Sequence, residues 1–163
     1  VNANFPKPVA LGLTDGLDII ANLVISGLSA LDKARSMAPS GTTHCAFEMR
    51  FKDGSRFYDR VHPGGGAMKG ADGLSGHSLW WRARLSTSIE EIERRYPVAV
   101  ESTSFRTNSG GAGHNSGGDG VAKSFRLLEP AELVWSFTDS TDKATGFSGG
   151  KSGLGPEVIV QKK

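Results

Sequence analysis

The spacing of hydrophobic positions changes along the chain, and the changes divide it into one long helical stretch and a set of strands. Over 14–37, Leu17, Ile20, Val24, Leu28 and Leu31 recur every three or four residues, with Leu13, Ile19 and Leu23 widening the same side. That spacing is one face of an α-helix, and a face so broad is expected to be buried on a sheet or a partner. Asp15 is placed to cap the amino end, Lys33 and Arg35 to lie in the last turns, and Pro39 to end the helix. Gly27 falls inside this helix at a cost of about 1 kcal/mol against alanine. A close-packed neighbouring backbone would make such a residue easier to keep.

From residue 44 the period becomes two. Cys45, Phe47, Met49 and Phe51 share one side, Asp53-Gly54 is a hairpin signal, and 57–61 returns as a second strand. Ser88 with Glu91 three residues on forms a capping box for a short helix over 89–95, ended by Tyr96-Pro97. Residues 97–106, 120–128 and 131–139 then read as three strands in series, with Glu129-Pro130 as the turn between the last two. Val158 to Val160 reads as a short closing strand. Short connections favour antiparallel pairing, so the class is α+β, mostly antiparallel β. Residues 1–12, with Pro6 and Pro8, read as an extended arm that docks on a partner, and 13–163 as a single domain.

Glycine changes this picture most. There are 22 in 163 residues, about twice the usual share of about 7%. They gather in three loops: 62–77, 107–120 and 147–156. Such loops persist where the backbone takes positive φ or lies very close to a ligand, a partner or the domain's own sheet. The nucleotide-binding patterns are incomplete. Gly150-Lys151-Ser152 has the tail of a P-loop, but Thr145 stands where its first glycine belongs and no helix pattern follows. Gly111 and Gly113 begin a dinucleotide pattern whose third glycine position is Ser116.

Net charge is +2 with scattered Lys and Arg, which argues against nucleic acid as a partner. The apolar stretch 17–31 is broken by Asp18, Asn22, Ser26 and Ser29 and does not read as a membrane span. One cysteine, Cys45, excludes an internal disulfide and fits a reducing, cytoplasmic setting. His62, Asp72 and His77 around the first loop have the chemistry of a zinc or manganese site, though not a known ligand spacing. Ser109, Ser116 and Cys45 are possible nucleophiles without a recognisable base. Loop 109–120 is an alternative candidate as an independent binding module for an anionic or phosphorylated metabolite.

Three segments together carry a resemblance. Glu90 to Pro97, followed by Asn108-Ser109-Gly110-Gly111-Ala112-Gly113 and Gly117-Gly118-Asp119-Gly120-Val121, resembles the carboxyl-terminal part of hydantoinase B and oxoprolinase proteins. Gly64-Gly65-Gly66-Ala67 with Gly70 to Gly76 is similar to that family's preceding glycine segment, and Phe147 to Gly153 to its closing loop. The family usually has an Arg where this chain has Ser116, and its members are several times longer. The resemblance implies a small subunit, inactive alone, of an ATP-dependent complex. That complex would be a ketone carboxylase (of the acetone or acetophenone type) or a hydantoin- or oxoproline-opening amidohydrolase. It implies larger hydantoinase A-like and B-like partners that hold the ATP and any divalent metal, with no cofactor or metal in this chain. On that reading Gly111, Gly113 and Gly118 shape backbone, Asp119 bonds backbone amides, and His114 and Asn115 face a substrate or partner. Phe5, Trp80 and Trp81 would then anchor the interface.

Overall fold

A computed structural model describes residues 15–41, 45–77, 86–136 and 143–161. The elements are helix α1 (Asp15–Leu31), strands β1 (Cys45–Phe51) and β2 (Arg56–Val61), helix α2 (Ile89–Arg95), and strands β3 (Val98–Phe105), β4 (Val121–Leu127) and β5 (Ala131–Ser136). The class is α+β, and every strand pair is antiparallel.

The hairpin forms as the alternation predicts. β1 pairs β2 with Cys45 opposite Val61 and Arg50 opposite Arg56. At the turn Gly54 takes a φ of 86°, and the Asp53 carboxylate accepts the Ser55 amide at 2.8 Å. β5, however, does not pair β4. It crosses to the far side of β1, giving the order β2-β1-β5, while β3 and β4 form a second sheet. Glu129-Pro130 is therefore a crossover between sheets and not a hairpin turn. Its proline cannot donate to a ladder, and the Leu128 amide bonds back to the Pro97 carbonyl at 2.9 Å. β3 and β4 slip register between Val100 and Ser102, a bulge at Glu101.

The inward rows of the two sheets share one core. Met49, Phe51, Phe57, Ile92 and Val98 are buried, with Phe47, Tyr96, Phe125 and Leu133 packed against them. Phe57 is the hub: its ring lies 5.1 Å from Tyr96, 5.7 Å from Phe125 and 5.9 Å from Phe47, centre to centre.

Three expectations are corrected here. The helix expected over 14–37 ends at Leu31, because Asp32 takes an extended conformation and caps a separate 3-10 turn, Lys33–Arg35, by accepting the Ala34 amide at 2.9 Å. Glu91 does not complete the capping box. Ser88 accepts the Glu91 amide at 3.3 Å, but the Glu91 carboxylate turns to Arg94 and Arg95. Two charge-assisted bonds to Arg94, both 2.8 Å, outcompete one bond to a backbone amide. Val158, Ile159 and Val160 are in no strand. Composition favours a strand there, yet no described edge receives it. The segment approaching it is held from the side by Arg106, which donates to the Gly155 carbonyl at 2.8 Å and to Glu157 at 2.7 Å.

The orientation of α1 rules out one of the two settings expected for its apolar side. That side is not buried on a sheet of this domain: Ile20, Leu23, Val24, Leu28 and Leu31 are between 56% and 86% accessible. The side facing inward carries Asp18, Asn22 and Ser29. Asn22 bonds the Ser40 backbone twice, donating to its carbonyl at 2.8 Å and accepting its amide at 3.1 Å. The Ser29 hydroxyl does the same with Met37, at 3.0 and 2.9 Å. Directional bonds at these two positions set how the helix is rotated, and burial of leucines does not.

Candidate functional site

The three glycine segments converge into one body held by backbone hydrogen bonds. Gly118 donates to the Gly65 carbonyl at 2.9 Å, Gly73 to Ser116 at 2.8 Å and Gly76 to Asp119 at 2.7 Å, so the first and second loops are laced together. Lys151 donates to Ala112 at 2.7 Å and Leu154 to Ser109 at 2.9 Å, which ties the third segment to the second. Residues 36–41 close the other side, with Ala38 donating to Ala67 at 2.7 Å and Gly41 to Gly64 at 3.1 Å.

Side chains are missing at the contacts because there is no room for them. A Cβ on Gly64 would lie 1.8 Å from the Gly118 oxygen, and one on Gly66 1.8 Å from the Ala38 oxygen. One on Gly111 would lie 2.1 Å from the Lys151 oxygen. None of these three needs positive φ. Close approach of backbone is the reason for glycine there.

The polar side chains of the region mostly hold this platform. Asp119 accepts the Gly110 amide at 3.0 Å and the Ser109 hydroxyl at 3.5 Å, and Ser109 in turn accepts the Gly120 amide at 2.8 Å. Asp72 accepts the Ser116 amide at 2.7 Å, and Ser75 accepts that of Asp119 at 2.9 Å. Asn115 accepts the Gly70 amide at 3.2 Å. Ser40, fully buried, accepts the Gly66 amide at 3.0 Å, so the line Asn22–Ser40–Gly66 suspends α1 from the platform.

Of the residues expected to act here, Gly111, Gly118 and Asp119 thus lie inside the platform, and Asn115 is engaged with the first loop. Gly113 and His114 are exposed at its tip. Ser109 is buried and doubly bonded, which removes it as a free nucleophile. Trp80, Trp81 and Phe5 lie outside the described residues. The His62, Asp72 and His77 metal set does not assemble: among the described residues no three His, Cys, Asp or Glu side chains are grouped to hold an ion. Sequence reasoning missed Asn22, Ser40, Asp72 and Ser75 as platform ties. The signal for Asn22 was its polarity at an otherwise apolar helix position.

A second polar feature lies in the seam between the sheets. Lys123, on the inward row of β4, is 6% exposed and pairs with Asp59 of β2 at 2.5 Å. The pair borders a cavity of about 200 Å³ walled by Ile92, Val100, Thr103 and Phe125. His62 is half-buried beside it. Burial first, and then the Lys123 charge, hold its pKa below the ordinary imidazole value of 6.5.

The family model for hydantoinase B/oxoprolinase matches residues 1–163. The chain belongs to that family. It is 33% identical over 130 residues to a 5-oxoprolinase of Dictyostelium discoideum, covering 79% of this chain and 10% of that protein. It is 29% identical over 164 aligned residues to an uncharacterized protein of Methanocaldococcus jannaschii, covering 99% of this chain and 29% of the relative. It is 36% identical over 97 residues to the caprolactamase subunit beta of Pseudomonas jessenii, covering 58% of this chain and 17% of that subunit. The chain therefore spans less than a third of each of these relatives.

Proposed function

We propose that this hydantoinase B/oxoprolinase-family chain is part of the B-type component of a cyclic-amide hydrolase complex and has no turnover alone. One observation carries the reading. Ser109, Asp119, Asp72 and Asn115, polar side chains that could otherwise serve chemistry, are engaged in shaping the second loop and tying it to the first. What the region offers outward is a tip at 112–114 with His114 exposed on it. Such a tip, with an imidazole but no nucleophile among its three residues, shapes a surface for a partner or a substrate held elsewhere.

Two relatives narrow the chemistry. A 5-oxoprolinase and a caprolactamase are both named for a lactam, which favours ring hydrolysis over ketone carboxylation. The word "subunit" in the second name supports a heteromeric assembly. Within the same proposal, an A-like partner binds ATP and uses it to activate the amide carbonyl. The rival reading of loop 109–120 as a free-standing anion site is disfavoured by its amides. Those of Gly110, Gly117, Gly118 and Gly120 already donate within the protein, so they are not free to cradle a phosphate.

The test is native mass measurement on the chain tagged in its source cells, with lactam hydrolysis assayed on the recovered material. Recovery with larger hydantoinase A-like and B-like chains, and ATP-dependent ring opening by that material only, is expected. Recovery as a lone chain that opens the ring unaided would overturn it.

A further inference from the structure

We infer that the outer face of α1 is the seat on which an apolar groove of the larger B-type polypeptide docks. This rests on the subunit reading above and names the surface that serves it.

The face is formed by Ile20, Leu23, Val24, Leu28 and Leu31, each more than half exposed. They follow one another at helical spacing, so they make one continuous stripe. Ordinary surface helices turn such a stripe inward and their polar side to water. Here the assignment is inverted, and the inversion is fixed by the Asn22–Ser40 and Ser29–Met37 bonds. The helix cannot roll over to bury its leucines without breaking four hydrogen bonds.

The chemistry of the stripe selects its occupant. No Asp, Glu, Lys or Arg occurs between Ile19 and Leu31, so the face offers nothing to a charged partner. A membrane-surface helix would carry Lys or Arg on its polar face, and that face is here Asp18, Asn22 and Ser29, buried in the domain. Gly27 lies within the stripe, and a Cβ built on it meets nothing within 4 Å. The notch lets another backbone approach the helix there, and the flanking apolar residues stand at the spacing of anchors in helix-in-groove recognition. The relatives are several times longer than the segment they share with this chain, which covers 10%, 17% and 29% of them. The B-type body is thus a protein large enough to supply the groove.

The experiment co-expresses the full chain with the larger B-type chain and measures the affinity of the pair. Leu23→Glu with Leu28→Glu should weaken association at least tenfold, and Gly27→Leu, which fills the notch, should weaken it similarly. All three positions are exposed, so the circular-dichroism melt of the free chain should not fall below wild type for Gly27→Leu and should stay near it for the double variant. A photo-crosslinking residue at Leu28, in the otherwise unaltered chain, gives a second readout that does not depend on the charged variant folding. Its product should contain the larger chain. Full-strength association of the double variant, or a Leu28 crosslink only to a second copy of this chain, overturns the docking site while leaving the subunit reading intact. Failure of the unaltered chain to associate with any larger chain overturns the subunit reading, and this inference with it.

Discussion

Gly73→Ala is the sharpest perturbation of the glycine platform. A Cβ there would lie 2.1 Å from the Gly65 oxygen and 2.6 Å from the Gly118 nitrogen. Those two atoms are acceptor and donor of a 2.9 Å hydrogen bond, so the added methyl crowds both from the side. Ordinary contact begins at 3.4 Å, and the strands of the loop must therefore part by roughly 1 Å. Overpacking of this kind costs about 1–3 kcal/mol. Gly65 and Gly118 are both buried, and leaving their amide and carbonyl unpaired adds about 1–3 kcal/mol. The expected loss is about 4 kcal/mol, a large part of the 5–15 kcal/mol typical of a domain. Urea unfolding reads it as a midpoint lower by about 2 M, with the Gly118 amide losing its protection from exchange. Gly27→Ala is the control: nothing lies within 4 Å of its Cβ, and helix propensity makes it stabilising by up to about 1 kcal/mol. If Gly73→Ala falls within about 1 kcal/mol of wild type, the loops are not in close backbone contact and the platform argument is wrong.

Asp59→Ala leaves Lys123 buried without its partner and should cost about 3 kcal/mol in urea unfolding, while Asp59→Leu combined with Lys123→Met should recover most of it. His62 titrates below its unfolded value, so between those two pKa values the unfolded chain binds the extra proton; stability should decline as pH falls below 6.5, and His62→Gln should flatten that slope in melts taken from pH 8 to pH 5. Glu91 is held at about 2 by Arg94, against 4.5 for a free carboxyl. Its contribution is present above pH 4.5 and lost as pH falls towards about 2, and because the group is exposed it should shrink in high salt, as a comparison of acid melts with and without 1 M NaCl would show. Asn22→Leu should cost about 1–3 kcal/mol by stranding the buried Ser40 backbone, although it replaces a polar residue by an apolar one.

Local chemistry was readable where one neighbour decides the outcome. Asp53-Gly54 forms its hairpin because glycine alone enters positive φ cheaply at that turn, and Ser88 starts α2 because its hydroxyl meets an amide three residues on. What was not readable depends on distant partners. β4 and β5 both present apolar inward rows, and a short connection between them does not say whether the second pairs the first or leaves for β1. The glycine motifs located the loops, but not their mutual contacts, which lie between positions far apart in the chain: Gly118 on Gly65, Ser116 on Asp72.

The helix shows why periodicity alone misleads. Spacing states which residues share a side and is silent on which side is outward; the usual inference adds the premise that apolar residues seek their own domain's core. That premise holds for a complete globule. In α1 the premise fails, and the sequence held a trace of the failure in Asn22 and Ser29, seven positions apart on one side of the helix. Polar residues at that spacing, read as mere interruptions of an apolar run, are instead the inward face, each bonded twice to a passing backbone. Because hydrogen bonds are directional and hydrophobic contact is not, these two side chains fix the helix in the one rotation that keeps its leucines outward. The apolar surface so held in water is what the proposed docking of a larger chain would cover. The platform follows the same logic: Ser109, Asp119 and Asn115 bond backbone amides that hold its shape, and Gly113 and His114 are left exposed at its tip. On the subunit reading proposed above, both features suit a part that completes a larger body.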